Sequence, residues 1–192
     1  MFHTSTTMLK KQPLAKLLAF AAAMQTAEAF AEPGAQVDTA MLGDLDYGII
    51  CPAGDAEHVP ADGTTLGYIT ERQAAQQIKL TTQTIPLLKG IGFGVRSTNI
   101  SGDSLGPIQI TVTHPMFPGH GSTQDVWIDT FETDSVNFNF FTFEFPFEMQ
   151  TGTWTFQASR FDQPLYAVTF QVVDPKAAPQ LAAICAGPAL TS

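Results

Sequence analysis

The chain predicts an all-β fold, an immunoglobulin-like antiparallel β-sandwich of about eight to nine strands, preceded by a signal-peptide helix. Three observations carry the prediction. Beyond residue 43, apolar residues recur with period two in runs of strand length. Turn clusters rich in Gly, Asn, Asp and Pro separate those runs at roughly 8 to 12 residues. No later stretch carries the sustained 3.6-residue stripe of an amphipathic helix, so the βα alternation of a parallel sheet is missing.

Residues 1–31 have the composition of a secretory leader. Basic Lys10, Lys11 and Lys16 precede the apolar run Leu17–Met24, and Ala29 and Ala31 supply a small-x-small cleavage site. The run is too short for a bilayer span, which needs about 20 residues. Cleavage after Ala31 leaves a flexible leader over 32–43, a sandwich domain over 44–175 and a C-terminal tail over 176–192. With no lipid anchor and no membrane anchor expected, the destination is the periplasm or the extracellular medium.

The leader accounts for much of the positive charge. The whole chain has 9 basic and 18 acidic residues, and removing Lys10, Lys11, Lys16 and Glu28 leaves six and 17, a net charge near −11. Such a surface repels phosphate backbones and anionic lipid headgroups, which excludes nucleic-acid binding. Cys51 and Cys185 are the two cysteines. In an oxidising compartment a lone, distant pair reads as one disulfide, here tying the tail to the first strand.

The strands follow in order. Leu45, Tyr47 and Ile49 alternate into Cys51; Leu66, Tyr68 and Thr70 follow a Gly-Thr turn; Ile78, Leu80, Thr82 and Thr84 lead to Ile85-Pro86. Between them, Glu71–Gln77 has helix-forming residues enough for one turn. Ile91, Phe93 and Val95 form the next run, then Ile108, Ile110 and Val112, then Val126–Ile128. The last hairpin is the clearest element: Trp154, Phe156 and Ala158, a Phe-Asp-Gln-Pro turn, then Tyr166, Val168, Phe170 and Val172. Trp154, Phe156, Tyr166, Val168 and Phe170 are expected on one core face.

The aromatic run 136–147 changes parity: Phe138 and Phe140 are even, whereas Phe141, Phe143, Phe145 and Phe147 are odd. A β-bulge near Phe140 would turn both sets into the core. Without it, one set faces outward as a docking surface.

Candidate sites are few. His114, Met116 and His120 lie within seven residues, and two imidazoles with a thioether suit copper. The competing reading of His114 is a hydrogen-bonded histidine at the core rim, since it shares parity with Ile108, Ile110 and Val112. Asp125, Asp129, Glu132 and Asp134 offer oxygens for Ca²⁺ but lack the tight Asp-x-Asp-x-Asp-Gly loop. Charged residues guarding a solvated edge strand are the simpler reading. Asp125 and Asp129 also fit a carboxylate pair for hydrolysis. Gly90-Ile91-Gly92-Phe93-Gly94 precedes no helix, so it is not a dinucleotide loop; its glycines instead let an aromatic or a backbone approach closely. Asn99-Ile100-Ser101 matches a glycosylation sequon. There is no nucleophile elbow, and neither cysteine has a base partner.

Three stretches, Thr84–Val95, Ile110–Met116 and Gly152–Phe156 with the strand that follows, resemble a family of bacterial exported domains of unknown function. The resemblance spans about residues 45–175. It implies export and an immunoglobulin-like β-sandwich, and it carries over no catalytic or binding residue. The expected function is therefore a soluble, non-enzymatic module that binds another exported protein or a small ligand and needs no cofactor. Copper binding and hydrolysis through the acidic strand are the alternatives.

Overall fold

The computed structural model describes residues 34–185, and the leader expected over 1–31 lies outside them. Twelve strands are present among the described residues: β1 (Ala35–Val37), β2 (Leu42–Ile50), β3 (Ala56–Pro60), β4 (Tyr68–Arg72), β5 (Ile78–Thr81), β6 (Thr84–Pro86), β7 (Gly92–Asn99), β8 (Leu105–Thr113), β9 (Gln124–Phe131), β10 (Val136–Thr142), β11 (Gly152–Arg160) and β12 (Gln163–Val173). The strands that periodicity missed, β1, β3 and β6, have only three to five residues each. In so short a run, alternation has no room to show.

The strands form two layers and a hairpin. One sheet runs β12-β11-β8-β9, with β1 and β6 sharing the outer edge of β12. The other runs β10-β7-β2-β5, and among the described residues β3 and β4 pair only with each other. Thr82 and Gln83 carry the chain across from β5 in the second sheet to β6 in the first. This is the immunoglobulin arrangement, in which β2, β7 and β10 stand where strands A, B and E stand, and β8, β11 and β12 where C, F and G stand. The predicted sandwich is therefore observed, with more strands than periodicity counts.

Inward alternation builds the core. Trp154, Phe156, Tyr166, Val168 and Phe170 are all at most 1% exposed, on the single face assigned to them. Phe93 on β7 holds the centre, with its ring 5.5 Å from Trp154, 5.6 Å from Phe156 and 5.2 Å from Phe170. These edge-to-face contacts join the strands that antibody domains join by their inter-sheet disulfide. The disulfide here lies elsewhere: Cys51, just past β2, is bonded to Cys185, with Cα atoms 5.4 Å apart across 134 residues.

Three local expectations are corrected. Ala35–Val37, within the stretch read as a flexible leader, is a strand paired with Tyr166–Val168. Glu71 belongs to β4 instead of a helical turn, because ladder pairing with Glu57 outweighs weak local propensity. The β10 ladder runs from Val136↔Thr98 to Thr142↔Gly92 without a register shift, so there is no bulge at Phe140. Phe143 is fully buried, whereas Phe138 and Phe140 pack together on the other parity, half-buried, with rings 5.6 Å apart. Phe140 lies directly across from Gly94, where an added Cβ would come within 2.7 Å of the Phe140 Cβ and 2.3 Å of the Asn139 carbonyl oxygen. The Gly-x-Gly run thus admits an aromatic side chain and its backbone, as expected.

Candidate functional site

β9 ends one sheet and β10 ends the other, so the sandwich has an open side between two edge strands. The β3–β4 hairpin and its loop lie over that side. Between them is a cavity of about 920 Å³. Its apolar lining comes from Val59, Ile69, Phe117, Trp127, Phe138, Phe140 and Phe141, and its polar lining includes Asp62, Glu71, Asp125, Asp129, Glu144 and Glu148 against a single cation, Arg72.

The loop is clasped to β9. Asp125 Oδ1 accepts hydrogen bonds from the Thr65 N–H at 2.6 Å and the Thr65 hydroxyl at 2.7 Å. One residue along, the Val126 N–H donates to the Gly63 carbonyl at 2.9 Å. An added Cβ at position 63 would meet the Val126 carbonyl oxygen at 2.4 Å, so the close approach requires glycine. A second attachment lies at the far end of the hairpin. Arg72 donates to the Gly54 carbonyl at 3.0 Å and pairs with Glu144 at 3.5 Å. Gln76 exchanges hydrogen bonds with the Ala53 backbone, accepting at 3.1 Å and donating at 2.9 Å.

Beneath the clasp, His114 and Asp125 meet. The imidazole is sealed from solvent and stacks on Phe117 at 3.7 Å between ring centroids. Its Nδ1 lies 2.8 Å from the Pro115 carbonyl, to which only a protonated nitrogen can donate. Nε2 faces Asp125 Oδ2 at 3.8 Å and makes no hydrogen bond. Burial holds this imidazole below its ordinary pKa of 6.5, against the opposing pull of the Pro115 bond and the Asp125 charge.

Two carboxyls shift the other way. Burial raises Asp129, the Thr130 N–H opposes it, and the Glu71 charge adds to it. Burial also raises Glu148, although its Oε2 accepts from the Glu144 and Phe145 N–H groups at 2.7 and 2.8 Å. Asn139, 4% exposed, lines the cavity, and its side chain is the hydrogen-bonding neighbour of the buried Tyr166 hydroxyl.

The candidate copper ligands have different surroundings. His114 is buried in the aromatic stack, Met116 is 63% exposed and His120 lies against Phe147 with ring centroids 4.2 Å apart. Among the described residues no group of three or more His, Cys, Asp or Glu is placed to hold a metal ion. Of the four acids proposed for Ca²⁺, Asp125 and Asp129 line the cavity, whereas Glu132 and Asp134 are exposed near the β9–β10 turn. The sequon residue Asn99 is fully buried, donating to the Asp103 and Phe131 carbonyls and accepting from Ser101. Sequence reasoning missed Thr65, Arg72, Asn139 and Glu148. Only their partners across the fold give them a role, and no local pattern marks them.

Fold and cavity together define a class: an immunoglobulin-like β-sandwich whose open side is roofed by a hairpin over an acidic, aromatic-lined cavity. The chain belongs to the family described as a domain of unknown function, DUF3859, whose profile matches residues 38–172. No curated protein matches it. Among solved structures, it is similar to the crystal structure of an immunoglobulin-like protein from Pseudomonas aeruginosa, at 19% identity and a TM-score of 0.48, over 74% of this chain and 99% of that one.

Proposed function

We propose that the protein is an exported, non-enzymatic binding module whose ligand occupies the cavity under the β3–β4 hairpin. One observation carries the reading: about 920 Å³ of space, lined by aromatic rings and carboxylates, lies beneath an element attached at both ends. Concave, largely apolar spaces with a few polar groups are the usual form of a ligand site. Asp125 has a structural task that favours binding over hydrolysis, because its Oδ1 holds the hairpin loop through both Thr65 donors. Export rests on the leader pattern of residues 1–31 and on the Cys51–Cys185 disulfide, a bond that persists in oxidising compartments.

Photo-crosslinking in the producing cell tests the site. A photoreactive phenylalanine analogue at Trp127 or Phe140 should give adducts, and the same group at Gln171, which is not among the lining residues, should give none. No adduct from either cavity position would overturn the reading. Mass analysis of the exported protein should find Glu32 as its first residue.

A further inference from the structure

We infer that the cavity takes an extended, lysine- or arginine-bearing peptide segment, which adds as a strand to the free edge of β10. The inference rests on the cavity being the binding site. Phe138, Asn139, Phe140, Phe141 and Thr142 all line it, without a gap. Side chains alternate faces along a strand, so five consecutive lining residues mean that the backbone edge itself borders the space. Among the described residues β7 is the only strand partner of β10. Across the cavity Tyr68–Arg72 of β4 line it without a gap as well, and among the described residues β3 is their only strand partner.

An unpaired edge presents rows of N–H and C=O groups that template another strand. β9 is the weaker choice, since Gly63 already takes its Val126 N–H. The β10 edge offers five residues, about 17 Å of extended chain.

Charge sets the class of peptide. Glu144 is paired with Arg72, Asp125 is held by Thr65, and Glu148 accepts two backbone N–H groups. Asp62, Glu71 and Asp129 make no ion pair among the described residues, and the cavity's one cation is already engaged by Glu144 and Gly54. A chain alternating cationic with apolar residues would offer charge to these carboxylates and apolar side chains to Phe138 and Phe140, all of which line the same space.

The test uses the full oxidised chain and a dye-labelled nine-residue peptide of alternating lysine and valine, read by fluorescence anisotropy. A second peptide is N-methylated at alternate residues, which keeps every side chain but removes the pairing N–H groups, and dodecyltrimethylammonium serves as a small apolar cation. Saturable binding of the first peptide, weakened more than about tenfold by N-methylation, is the expected result. The Glu71→Gln/Asp129→Asn variant should weaken it further, by about threefold to tenfold. Equal binding of both peptides overturns strand addition and leaves the cavity as the binding site. Binding of dodecyltrimethylammonium alone overturns the peptide class and again leaves the site. If no probe binds while position 127 still crosslinks in cells, this inference falls alone; if crosslinking also fails, the proposed function falls with it.

Discussion

The Thr65 hydroxyl donates to Asp125 Oδ1 at 2.7 Å, joining residues 60 positions apart and fixing the hairpin loop to the edge of the sandwich. The Thr65 N–H donates to the same oxygen at 2.6 Å, so one carboxylate oxygen satisfies two donors. Hydrogen bonds to a charged acceptor contribute about 1.5 to 3 kcal/mol each.

Thr65→Val removes the hydroxyl donor and keeps the shape of the side chain. Amides of β3 and β4 should then exchange roughly tenfold faster, because about 1.4 kcal/mol of local opening energy is lost. Amides of β7 and β11 should keep their protection. Equal acceleration in both groups, measured by native-state hydrogen exchange, would contradict a local clasp.

His114 gives the stability a defined pH dependence. Its folded-state pKa is depressed below 6.5, so between that folded value and 6.5 the unfolded chain binds more protons, and stability falls as pH drops through this window. Asp129 and Glu148 act oppositely. Their folded pKa values are raised above 3.8 and 4.5, so acidification through those raised values favours the fold. Urea midpoints should decline from pH 7 toward pH 5.5, and His114→Gln should flatten the decline. An unchanged slope in the variant would assign the effect to other groups.

Replacing Cys51 and Cys185 by serine opens a closure of 134 residues. The chain-entropy argument puts the loss at about 4 to 5 kcal/mol, carried by greater freedom of the unfolded chain. Urea unfolding of oxidised protein against the double serine variant measures it. A difference below about 1 kcal/mol would mean that the tail is held by packing, with Leu181 and Ile184 against the core.

Phe93→Ala should be the costliest single core truncation, at about 3 to 5 kcal/mol. Its ring meets Phe141, Phe143, Trp154, Phe156 and Phe170 from both sheets. A neighbour less central, such as Val172, should cost less when truncated to Ala. Denaturant midpoints of the two variants decide the order.

The sandwich was legible because alternation is a local property. Trp154, Phe156, Tyr166, Val168 and Phe170 announce their shared face by spacing alone, and all five are buried on it. Cys51 and Cys185 were legible as a pair because no other cysteine competes. Glu71 misled because helix propensity is weak beside a ladder partner.

The sequence by itself determined the sandwich, its core face and its disulfide, since period two and a cysteine count specify them without reference to distant segments. Tertiary structure alone decided what lies outside that core. Asp125 reads as one more charge on an edge strand until Thr65 arrives from 60 residues away. Phe138 and Phe140 read as core or as docking surface until the unbroken β10 register places them beside the cavity under β3 and β4. The physical reason is that periodicity states which side chains share a face, whereas the element covering that face is chosen by packing across the fold.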